Sequence, residues 1–167
     1  MHIEFFPIFI ASLATFFAIV ILRPFAVSVG LTDNPSERKL HVGSVPLIGG
    51  IAMFFGVVIS ILILKSDTSY FNYFLLSSLI LVSIGVWDDY RDISVSFRLL
   101  CQFLVAIIIV SADGLSIISL GNLFGNGEFF LNGWAYFITV FAIIAGINAV
   151  NMADGIDGLA AGNSLIT

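Results

Sequence analysis

Charge is what this 167-residue sequence has least of: 10% of its residues are Asp, Glu, Lys or Arg, against about 25% in soluble globular domains. With 59% hydrophobic residues and a mean hydropathy of +1.11, the chain cannot clothe its apolar surface in water. That excludes a soluble globular domain and a disordered segment alike. Basic residues are scarcer than acids, 6 against 11, for a net charge of -5. Nucleic acid is therefore not an expected partner, since it calls for a basic face. A single cysteine, Cys101, excludes an intrachain disulfide, and its apolar surroundings read as those of an inert thiol. The start of the chain, Met1-His2-Ile3-Glu4, lacks a cationic stretch, and Arg23-Pro24 interrupts any cleavage site. The first apolar run is thus expected to be a retained span and not a removable signal.

What is abundant is apolar sequence in runs long enough to cross a bilayer. Five are legible: Phe5 to Leu22, Val45 to Leu64, Phe71 to Trp87, about Phe97 to Ala112, and Gly133 to Val150. A sixth opens after Gly158 and stops at Thr167, too short to cross. The expected fold is an all-α multi-pass membrane protein with five complete spans and the start of a sixth, forming one helical domain over residues 1–167. If the spans alternate, Arg23, Arg38, Lys39, Arg91 and Arg98 share one side and Lys65 alone lies on the other. The positive-inside bias then places the N-terminus outside, in the periplasm, and the charged loops in the cytosol. On the external side, Gly125-Asn126-Gly127 between Ile117 to Phe124 and Glu128 to Leu131 predicts a short β-hairpin.

Seven of the eleven acids fall in the same cytosolic segments: Asp33, Glu37, Asp88, Asp89, Asp92, Asp154 and Asp157. Acids contribute little to insertion topology, so their gathering points to chemistry on that face. In the first loop, Asp33 or Asn34 can cap a short helix with Pro35 at its first position. Arg38, Lys39 and His41 make the densest cation cluster, suited either to anionic lipid headgroups or to phosphate oxygens. In the second, Asp88 and Asp89 stand about 100° apart on a helix and so address different partners. One can bind a hard divalent cation while the other accepts a proton or steers a phosphate; the plainer alternative pairs Asp88 with Arg91. In the third, Asn148, Asn151, Asp154 and Asp157 recur every third residue. They fan over about half of a straight helix and converge only where Gly155 and Gly158 let it tighten or break. A polar seam between helices is the alternative. Carboxylates, amides and cations on one membrane face suit Mg²⁺, which takes one or two carboxylates plus substrate phosphates.

The segments D-N-P-S-E-R-K-L-H with P-L-I-G-G, W-D-D-Y-R-D-I-S-V-S-F-R and I-N-A-V-N-M-A-D-G-I-D-G-L-A resemble the polyprenyl-phosphate N-acetylhexosamine-1-phosphate transferases. Within that family they are most similar to the bacterial undecaprenyl-phosphate N-acetylglucosamine-1-phosphate type. The resemblance implies transfer of GlcNAc-1-phosphate from UDP-GlcNAc to undecaprenyl phosphate with release of UMP and with Mg²⁺ or Mn²⁺ bound. That is the first membrane step of O-antigen or other cell-envelope polysaccharide synthesis, at the cytosolic face of the bacterial cytoplasmic membrane. It implies catalytic roles for Asp88 and Asp89, nucleotide and metal binding at Asn148, Asn151, Asp154 and Asp157, and phosphate or lipid contact at Arg38, Lys39 and His41. The implied metal set is Asp89, Asn151 and Asp154. Homo-oligomerisation is left open.

Two later elements of the family, an M-G-D-x-G-S motif and an H-x-H-H loop, do not occur in residues 1–167, whose only histidines are His2 and His41. The chain is therefore expected to be the N-terminal part of a longer transferase, inactive or nearly so alone. Another UDP-N-acetylhexosamine, a UDP-MurNAc-pentapeptide donor, a non-catalytic membrane fragment or a piece of a transporter are the competing readings.

Overall fold

The computed structural model describes residues 5–33, 43–64, 69–125 and 127–153. In chain order they form α1 (Phe5–Val29), β1 (Thr32–Asp33), β2 (Val45–Pro46), α2 (Gly49–Leu64), α3 (Ser69–Arg91), α4 (Val95–Asp113) and α5 (Ala135–Ala153), the last entered through a 3-10 turn at Asn132–Trp134. Four stretches are long and apolar enough to cross a membrane: Phe5–Val29, Asn72–Arg91, Val95–Ala112 and Asn132–Met152. Their apolar side chains are largely outward, with Phe5, Phe6, Phe141 and Trp134 all more than 60% exposed, as expected where lipid replaces water around the helices.

The expected second span is shorter than its apolar run. Val45 and Pro46 pair in antiparallel register with Asp33 and Thr32, so α2 begins only at Gly49. Its 16 residues reach about 24 Å, short of the roughly 30 Å hydrocarbon core. The same pairing places Asp33 in a strand; the helix expected after Pro35, which Asp33 or Asn34 would cap, lies outside the described residues. At the other edge, α1 does not stop before Arg23-Pro24 but runs to Val29 with Pro24 inside it. Proline removes one hydrogen bond, and a membrane helix tolerates that loss. What ends α1 is Gly30, at φ 80°, where Leu31 N–H donates to Ala26 O (2.9 Å) and Gly30 N–H to Val27 O (3.3 Å). This is a Schellman stop, and it needs the left-handed conformation that glycine adopts without penalty.

The chain divides into two compact units, Met1–Arg98 and Leu99–Thr167. In the first, Ala26, Leu31 and Ile48 form a buried cluster joined by Leu22, Leu47, Ile51 and Val86. It ties the end of α1 to the start of α2 and the end of α3. Elsewhere α1 and α2 meet at Gly56, where an added Cβ would collide with Thr15 Oγ1 and lie 2.6 Å from Ala11 O; nearby, Ser60 Oγ donates to Pro7 O at 3.1 Å. Small residues permit this backbone approach in membranes. Gly56→Ala is expected to destabilise the unit by about 1–3 kcal/mol, because a helix carbonyl cannot yield without moving the helix. Thermal unfolding in detergent checks this, and an unchanged midpoint would sink it.

In the second unit, Ala106, Val110 and Val140 are buried together, flanked by Ile107, Ile143 and Ile144. Polar contacts mark both ends of this antiparallel α4–α5 pair: Ser111 Oγ with Tyr136 Oη at 2.9 Å, and Asn148 with Gln102. Among the described residues the expected external hairpin shows one antiparallel bridge, Ser119 with Phe130. Leu120 N–H donates to Phe129 O and Leu131 N–H to Ile118 O, but Phe129 N–H turns to Gly121 O. Gly121, at φ 72°, bends the chain before a second ladder pair can form.

Candidate functional site

Asp88 and Asp89 lie inside the last turn of α3 and not beyond it, since the helix runs to Arg91. The turn closes when Asp92 N–H donates to Asp88 O at 2.8 Å, with Asp92 itself at φ 48°, a conformation that Asp tolerates better than most side chains. Three residues later α4 begins behind Ser94, whose Oγ receives the Phe97 N–H at 3.4 Å, a long version of an N-cap bond. Trp87 and Phe97 meet edge to face across the corner, ring centroids 5.7 Å apart. This short corner brings Arg98 Nη1 to 2.7 Å from Asp88 Oδ2, with side-chain exposures of 26% and 22%. Asp88 is therefore committed to Arg98, not to Arg91, whose guanidinium sits 5.4 Å from the Tyr90 ring centre. Arg98 Nε is buried and has no hydrogen-bond partner among the described residues. Beside the same turn an open apolar groove of about 280 Å³ is lined by Val29, Leu31, Ser83, Val86, Trp87 and Tyr90.

In the second unit, α5 carries Asn148 and Asn151. Asn148 Nδ2 donates to Gln102 Oε1 at 2.7 Å and to Ile144 O at 2.8 Å. Gln102 is 4% exposed. Asn151 is exposed on the last turn of α5. Asp154 and Asp157, with Gly155 and Gly158, lie outside the described residues, as do Arg38, Lys39 and His41.

Arg98 was visible in the sequence only as a cytosolic-side cation closing the W-D-D-Y-R-D-I-S-V-S-F-R segment, with nothing to pair it with Asp88, and Gln102 was not singled out; its only available signal was an amide entering an apolar run.

Among the described residues no three His, Cys, Asp or Glu side chains converge as a metal cage. The hard carboxylate oxygens at the end of α3 are nonetheless the donor type Mg²⁺ takes, and it needs only one or two of them when phosphates complete its shell.

Residues 71–167 match the glycosyl transferase family 4 model. The chain is 42% identical over all of its 167 residues to an undecaprenyl-phosphate alpha-N-acetylglucosaminyl 1-phosphate transferase of Yersinia pestis, covering 45% of that protein. To the protein of the same name from Escherichia coli strain K12 it is 41% identical over 87% of this chain and 40% of the relative. A probable undecaprenyl-phosphate N-acetylglucosaminyl 1-phosphate transferase of Bacillus subtilis is 38% identical over 95% of this chain and 44% of that protein. No solved structure matches. The chain spans less than half the length of these relatives, and the match covers both the Asp88-Asp89 turn and the Asn148 helix. It belongs to glycosyl transferase family 4.

Proposed function

We propose that this chain forms the N-terminal part of an enzyme that transfers N-acetylglucosamine-1-phosphate from UDP-GlcNAc to undecaprenyl phosphate, releasing UMP. The observation that carries the reading is the acidic turn of α3, with Asp88 neutralised by Arg98 and Asp89 next to it. An oxygen of the lipid phosphate attacks the sugar-bearing phosphorus, the bond to the UMP phosphate breaks, and UMP leaves with the electron pair. A direct attack and a route through an enzyme-bound intermediate both make these net bond changes. Two bare carboxylates would repel such substrates, and the Arg98 pair offsets the charge of one of them, Asp88; Asp89 is the acid assigned to the reacting groups. When bound, Mg²⁺ or Mn²⁺ offsets phosphate charge at the reacting phosphorus. Asp89, Asn151 and Asp154 are the residues assigned to hold it. Asn148 and Asp157 are assigned to the nucleotide, and Arg38, Lys39 and His41 to phosphate oxygens. The apolar groove beside the turn matches the other half of a polyprenyl phosphate, its hydrocarbon chain.

The acidic turn faces the cytosol in this reading, with the N-terminus outside and five helices alternating across the cytoplasmic membrane in one domain, the 16-residue α2 crossing only where the bilayer thins around it, and the apolar run after Gly158, outside the described residues, opening a sixth. Five of the six Lys and Arg then lie on the cytosolic side, as the positive-inside bias requires. Acids at helix ends, not mid-span, speak against an ion path.

The test is UMP release from UDP-GlcNAc by membranes carrying the longest reading frame that contains this sequence. Undecaprenyl phosphate and Mg²⁺ are expected to be required, and chelation to stop the reaction reversibly. Release that ignores both would overturn the reading; use of a different UDP-N-acetylhexosamine in its place would correct the donor alone.

A further inference from the structure

We infer that Gln102 is a positioning residue that holds Asn148 as a hydrogen-bond acceptor toward its ligand; this rests on the nucleotide-binding role proposed above for Asn148. A primary amide can present either its oxygen or its nitrogen, and the two orientations have similar shape. Here the choice is forced. Ile144 O is a backbone carbonyl, which only accepts, so the Asn148 atom 2.8 Å from it must be the NH₂ group. Its second hydrogen is spent on Gln102 Oε1 at 2.7 Å. Both donors of Asn148 are thus consumed inside the α4–α5 pair, and among the described residues its Oδ1 has no hydrogen-bond partner.

The backbone bond alone does not secure this state, because a half-buried amide with one unused hydrogen can rotate to offer it to any passing acceptor. Gln102, 4% exposed and packed between helices, removes that freedom. Its burial in an apolar run is costly without a partner, and Asn148 is the partner. A ligand meeting Asn148 must then bring an N–H, an O–H or a cation; a bare phosphate oxygen is refused. Nucleotide N–H or O–H groups and a divalent cation share this chemistry, and titrating the two separately distinguishes them.

The experiment uses the longest reading frame containing this sequence, with Gln102→Leu, Gln102→Glu and Asn148→Ala, and Gln102→Leu repeated in the Asn148→Ala background. Gln102→Leu is expected to raise KM for the nucleotide sugar, or the Mg²⁺ concentration for half-maximal rate, about five- to tenfold, the worth of one hydrogen bond. Gln102→Glu keeps an acceptor for Asn148 and is expected to retain about half or more of the activity. In the Asn148→Ala background, Gln102→Leu should add nothing, because the group it positions is gone. An equal loss from Gln102→Leu in both backgrounds, or a Gln102→Glu as impaired as Gln102→Leu, overturns the inference while leaving the Asn148 role intact. Full activity in Asn148→Ala overturns that role, and the inference with it.

Discussion

Asp89→Asn is expected to lower UMP release by at least about a hundredfold, the usual range for losing a positioned acid or base, at an unchanged protein level. Asparagine has the shape of aspartate and a similar helix propensity, so the last turn of α3 survives. What disappears is the negative charge that the proposed reaction uses at the attacking phosphate or at the cation. Because Asp88 is engaged by Arg98 on another side of the helix, it cannot substitute. Membranes with matched amounts of the two proteins, assayed over a Mg²⁺ series, decide the point. An Asp89→Asn enzyme retaining more than about a tenth of wild-type rate at any Mg²⁺ concentration would remove Asp89 from the chemistry.

Arg98→Ala is expected to act on stability and activity together. Its partner carboxylate is 22% exposed, between a surface ion pair, worth up to about 1 kcal/mol, and a buried one, whose breaking costs roughly 3–5 kcal/mol. A destabilisation of about 1–3 kcal/mol follows. Activity should fall further than stability alone explains, because Asp88 then adds an uncompensated charge where phosphates must approach. Arg98→Lys should restore only part of both, since a flexible ammonium cannot reproduce the geometry of the guanidinium. In Asp88→Asn/Arg98→Ala the two losses should be less than additive. Strict additivity in thermal midpoint would mean that the 2.7 Å contact contributes nothing.

Much of this was legible from sequence, for identifiable reasons. The apolar runs gave the helices, and the three charged segments gave the candidate site and its family. The boundaries moved where local chemistry and tertiary contact disagreed. The first apolar run ended at Leu22, yet the helix stops only at Gly30, because a membrane helix absorbs the one hydrogen bond lost at Pro24 but needs a left-handed residue to close its last carbonyls. Val45 looked like the start of a span, yet its backbone pairs with Asp33, a partner 12 residues earlier that no helical periodicity can announce.

From sequence alone follow the membrane setting, the helical class and the identity of the acids, amides and cations on offer, because composition and run length belong to the chain itself. The tertiary structure decided which of those groups are already engaged. Asp88 finds Arg98 ten residues away across a helical corner, and Asn148 finds Gln102 forty-six residues away on a neighbouring helix. Such partnerships depend on how helices cross and turn, and a linear pattern of residue types does not contain that distance.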